Sequence, residues 1–173
     1  PQAARTGMYR ALGRWTAANY QIVHYWGFLN RVNSFLYEGD GKSAWREVLA
    51  GSPPLNRSFM MMGQYYSVQY QALVAKAALS AMQTASPSEL PHLRKRAKAA
   101  AAKLAKHDMG WSRPKARLFE ALLDERSDWS QTATDFSTVS MHGHALATQA
   151  LQAEATGDRE LAATVDEAFR VQG

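Results

Sequence analysis

Cysteine is absent from this 173-residue chain, which removes disulfides, thiolate metal sites and cysteine nucleophiles from consideration and fits a cytoplasmic protein. No apolar run approaches the roughly 18 residues that a membrane-crossing helix needs. The longest, Tyr20 to Leu36, is interrupted by Gln21, His24, Asn30, Arg31 and Asn33. A secretory signal is not visible. Period-2 alternation is missing as well, with Phe136 to Ser140 ("FSTVS") as one weak strand candidate. The chain carries no HExxH, no nucleophile elbow and no dinucleotide fingerprint. Acids are scarce between Arg94 and Arg117, where Asp108 stands against nine Lys or Arg. The basic helix expected over 91–107 has no Phe, Tyr or Trp on which a base could stack.

What is present is helical periodicity. A hydrophobic fraction of 46% suits one globular domain over 1–173, read as a piece of a longer protein because it opens on proline. Ile22, Tyr25, Leu29, Val32 and Leu36 share one helical face and predict a helix over about 19–37. Gly39-Asp40-Gly41 should end it, with a short helix over 42–50 following. Ser52-Pro53-Pro54 reads as the start of a long helix over 55–84. Two apolar stripes on that helix, together containing Met61 and Met62, predict a central element packed on both sides. Leu93, Ala97, Ala100, Ala101 and Leu104 share one side of the helix at 91–107, leaving its lysines and arginines on the other. Further helices are expected over about 112–125, 128–138, 142–155 and 159–171. The class is all-α.

Gly41-Lys42-Ser43 resembles the end of a nucleotide-phosphate loop, but that motif needs a glycine five residues earlier, where Leu36 stands, and a strand rather than a helix before it. Gly39-Asp40 followed by Ala44, Gly157-Asp158 followed by Ala162, and a degraded Ser127-Asp128 followed by Thr132 suggest a different logic. Glycine ends one helix, aspartate caps the next, and a small residue lets the two lie close. This is the pattern of a helix-hairpin repeat. His142-Gly143-His144 lacks a third ligand nearby, and His24 lies in an aromatic helix that suits packing better than catalysis.

The stretch Arg10 to Val48 resembles the helical region that follows the kinase domain of some large bacterial serine/threonine protein kinases. The shared pattern is Trp15, His24-Tyr25, Leu36-Tyr37-Glu38-Gly39-Asp40 and Ala44-Trp45. Leu93 to Trp111 resembles that family's next landmark, a basic helix ending in Met-x-Trp, and Asp166 to Gly173 the start of its closing helix. The resemblance implies a tetratricopeptide-like, right-handed stack of antiparallel helix hairpins that binds proteins and has no catalytic activity, cofactor or metal of its own. The kinase motifs lie outside this chain.

Recognition of a protein or peptide, or of another domain of the same polypeptide, is therefore the expected function, with Tyr20, Arg31, Gln64 and Gln71 as candidate groove residues. Two alternatives stand beside it. One is a ligand sensor or enzyme with a pocket around His24, Trp26, Tyr65, Tyr66 and Tyr70. The other is a nucleic-acid binder acting through the basic helix at 91–107.

Overall fold

The computed structural model describes residues 2–14, 19–124 and 128–172. Among these the regular structure is entirely helical, so Phe136 to Ser140 is no strand: it is the end of a helix and the turn after it. The chain divides into two compact units, Pro1–Lys103 and Leu104–Gly173.

The first unit contains α1 (Gln2–Gly13), α2 (Ile22–Tyr37), α3 (Gly41–Asn56), a short 3-10 turn (Phe59–Met62), α4 (Gln64–Met82) and nearly all of α5 (Leu90–Leu104). Helix α1 is not among the helices expected from periodicity. Its composition is polar and glycine-containing, and it attaches largely through polar groups. Arg5 ion-pairs with Glu38 and lies 4.3 Å from the Phe35 ring centre, and the Tyr9 hydroxyl donates to Glu47 at 2.8 Å. An apolar contact is added where Leu12 meets Gly27, at which a Cβ would come within 2.5 Å of it.

Helix α3 packs along both α2 and α4. It also runs past the expected boundary. Gly51, Ser52, Pro53 and Pro54 lie inside it, and the long helix foreseen over 55–84 starts at Gln64 instead. Proline removes a helical N–H and usually interrupts a helix. Here the carbonyls four residues earlier belong to Leu49 and Ala50, both exposed, so water can serve them. Ser52 does not cap a helix start. Its hydroxyl donates back to the Val48 carbonyl and accepts from the Tyr70 hydroxyl at 2.8 Å, tying α3 to α4, while fully buried Leu55 anchors the last turn.

Helix α4 is central, as its two stripes predict: ten of its residues are buried, from Val68 to Ala81. Burying one Val or Leu side chain is worth about 1.5–3 kcal/mol, and α4 buries Val68, Leu73 and Val74 among its alanines. The methionine run, by contrast, is not core. Phe59 is 88% and Met62 82% exposed, because the chain turns at 59–62 and takes those residues off the helical stripe. On α5 the division is as expected: Leu93, Ala97, Ala100, Ala101 and Leu104 are buried, and Arg94, Lys95, Arg96 and Lys98 are exposed.

The second unit holds α6 (Ser112–Leu123), α7 (Trp129–Thr138), α8 (His142–Thr156) and α9 (Arg159–Gln172). Helix α7 packs on α8, and α8 on α9, around Phe136, Thr148 and Val165.

The aspartate caps are present wherever the pattern is described. Asp40 accepts from the Ser43 N–H at 2.9 Å, Asp128 from the Gln131 N–H at 2.9 Å and Asp158 from the Leu161 N–H at 3.0 Å. Gly39 and Gly157 take the left-handed conformation, with φ of 74° and 70°. Ser127, Trp15 and Glu125 lie outside the described residues.

Gly41 has a second role. An ideal Cβ there would stand 2.4 Å from the Ser80 carbonyl carbon, a backbone atom that cannot swing aside. Gly41→Ala is therefore expected to cost roughly 1–3 kcal/mol through overpacking. Gly143, inside α8 with nothing within 4 Å of its Cβ position, should gain about 0.5 kcal/mol on change to alanine. Thermal unfolding of both variants checks the pair. Unchanged stability in Gly41→Ala would show that α3 and α4 are not in this close contact.

Candidate functional site

A groove of about 840 Å³ lies in the first unit where the start of α3 meets the end of α4 and the start of α5. Its α3 wall follows from helical spacing. Lys42, Trp45, Arg46 and Leu49 recur at three- and four-residue steps, so they share one face. Ala81, Ala85 and Leu93 complete an apolar lining. Trp45 is 9% exposed, and Leu49, at 48%, stands out as an uncovered aliphatic side chain beside it.

Cations surround that lining. The Arg96 guanidinium lies 5.9 Å from the Trp45 ring centre, a cation–π distance. The His92 ring meets Trp45 edge-on at 6.4 Å, and Lys42 is at the groove mouth. Two carboxylates also line the groove, but both are committed to their own turns. Hydrogen bonds from the Ser43 hydroxyl and its backbone N–H hold Asp40 below the usual carboxylate range, and Arg46 donates to the same Ser43 hydroxyl at 2.7 Å. Glu89 is likewise held low by the Ser86 hydroxyl, at 2.6 Å, and by the Ser86 N–H, at 2.8 Å.

This geometry also answers the Gly-Lys-Ser question. The N-terminus of α3, where a phosphate would sit, is already occupied by the Asp40 carboxylate, and the preceding element is a helix. Lys42 is exposed and serves no loop.

The four residues expected to line a groove are dispersed in role. Tyr20 borders a second concavity of about 650 Å³ together with Phe59, Met60 and Tyr66. Gln64 is exposed at the first position of α4, next to that concavity. Arg31 is partly buried in an ion pair with Glu47 at 2.9 Å, and Gln71 is 7% exposed within the α4 core. The Trp45 groove was missed. Its residues were legible as a helix face, but α5, which supplies His92 and Arg96, is distant in sequence from α3.

The aromatic residues proposed for an enzymatic pocket form packing contacts. Tyr25 and Tyr66 meet edge-to-face at 5.1 Å, as do Tyr65 and Tyr66 at 5.6 Å, and the Tyr25 hydroxyl donates to the Tyr66 carbonyl at 3.1 Å. His142 and His144 are exposed at the start of α8, and no group of three metal-binding side chains occurs among the described residues.

Tyr20 has one unusual property: its hydroxyl is buried without a hydrogen-bond partner. Burial pushes its pKa up to about 12, only partly opposed by the charge of Arg31. A phenol that ionises near 10 when unfolded and near 12 when folded is neutral in both states below pH 10. Stability is then lost as pH rises from 10 toward 12, because the unfolded chain ionises first. Tyr20→Phe should weaken this alkaline loss and, by removing an unsatisfied hydroxyl, raise stability at neutral pH by about 1 kcal/mol. Denaturant unfolding at pH 7 and pH 11 measures both effects, and a destabilised variant with an unchanged pH slope would contradict them. Comparison with protein-family models, with curated proteins and with solved structures finds no match for this chain.

Proposed function

We propose that this chain is a non-catalytic recognition module and that a protein segment binds in the Trp45 groove. The observation that carries the reading is the groove itself. An uncovered Leu49 and a nearly buried Trp45 lie together in an open cleft whose carboxylates are already bonded within the fold. Such a cleft offers apolar area and a polar rim, the arrangement that specific protein contacts use. It presents no charged pair poised for proton transfer. Consecutive packing of α2, α3 and α4, and of α7, α8 and α9, together with the aspartate caps, supports a tetratricopeptide-like stack of hairpins. The setting beside a bacterial serine/threonine kinase rests on the sequence motifs alone.

A photoreactive amino acid placed at Leu49 tests the reading, with one at exposed Thr134 in the second unit as control. The segment captured from Leu49 alone, made as a peptide, is expected to bind the chain saturably. It should bind Leu49→Glu at least tenfold more weakly, a loss of about 1.4 kcal/mol. Equal cross-linking at the two positions, or equal binding to Leu49→Glu, would refute the assignment.

A further inference from the structure

Building on that reading, we infer that the occupant of the Trp45 groove is an acidic protein segment with one apolar side chain as its anchor. Charge complementarity carries the inference. Helix α5 contains Arg94, Lys95, Arg96, Lys98 and Lys103 and no acid. Of these, Arg96 lies one turn on from the groove-lining His92 and Leu93; it is exposed and its guanidinium reaches across to Trp45, so α5 brings a cation to the edge of the apolar groove. On the opposite wall Lys42 and Arg46 add two more cations.

The acids lining the groove, Asp40 and Glu89, accept from Ser43 and Ser86 through Asp40 Oδ1 and Glu89 Oε2, and their two charges are outnumbered by those of Lys42, Arg46 and Arg96. Carboxylates on a visiting segment therefore meet Lys and Arg on two sides, and its apolar residue meets Trp45 and Leu49. A nucleic acid would meet the same charge, but α5 offers no Phe, Tyr or Trp for base stacking. The one indole here, Trp45, is largely covered, with the His92 ring edge-on against it and Arg96 beside it.

Selection of a phage-displayed library of random 12-residue peptides against the full chain tests this. Leu49→Glu and the double charge reversal Lys42→Glu with Arg96→Glu serve as variants. All of these positions are exposed, and far-ultraviolet circular dichroism checks that the variants fold. The expected peptides carry several Asp or Glu around a single large apolar residue. They should lose binding to Leu49→Glu and bind the double reversal about tenfold more weakly, with affinity falling as salt rises. Peptides that depend on Leu49 but show no acidic bias, or that ignore the charge reversal, would overturn this inference while leaving the groove assignment intact. No selected peptides, or binding independent of Leu49, would overturn both. Tight binding of a fluorescent oligothymidylate in place of any acidic peptide would replace the protein partner with a nucleic acid.

Discussion

The first unit depends on one close approach of main chains. At Gly41 the start of α3 lies against the backbone of Ser80 and Ala81 near the end of α4, at a distance that leaves no room for a side chain. That contact fixes where the next residues of α3 point. Lys42, Trp45 and Arg46 are carried over the end of α4 and toward the chain that begins α5. A groove formed by three successive α-helices thus owes its shape to a single missing methyl group. Gly51 does similar work lower on α3, where a Cβ would come within 2.3 Å of the Phe28 ring.

Around this contact the polar groups are used economically. Aspartate at the start of α3, α7 and α9 accepts from backbone N–H groups that a helix leaves unpaired. At Asp40 the same carboxylate also fills the position an anion would take, so a motif reminiscent of nucleotide binding becomes a structural joint. The Tyr70–Ser52–Val48 chain of hydrogen bonds is the buried counterpart, satisfying two hydroxyls between α3 and α4.

Much of the architecture was readable in the residues. The positions of α2 and α5 to α9, the central place of α4 and the two-sided character of α5 all follow from periodicity, because burial imposes a 3.6-residue repeat. The failures have particular causes. Pro53 and Pro54 suggested a helix start, yet α3 runs through them at a place where Leu49 and Ala50, whose carbonyls lose their donors, are exposed residues. The stripe through Phe59 and Met62 was real in the sequence but interrupted in space by the turn at 59–62. Helix α1 has too weak an apolar face to announce itself, since its attachment relies on Arg5 and Tyr9. For the site, aromatic and polar residues were visible, but which of them converge depends on α3, α4 and α5 meeting. Gln71 was expected in a groove and is buried; Trp45 was not among the expected groove residues and borders a cleft.

The tandem prolines of α3 leave a mark on that cleft. Because Pro53 has no N–H, the carbonyl of Leu49 lacks the donor that an uninterrupted helix would place four residues on. The turn that offers the groove its most exposed aliphatic side chain thus also retains hydrogen-bond acceptor capacity in its main chain. In the chain itself, that wall is the part of α3 whose main-chain hydrogen bonding the sequence has left incomplete.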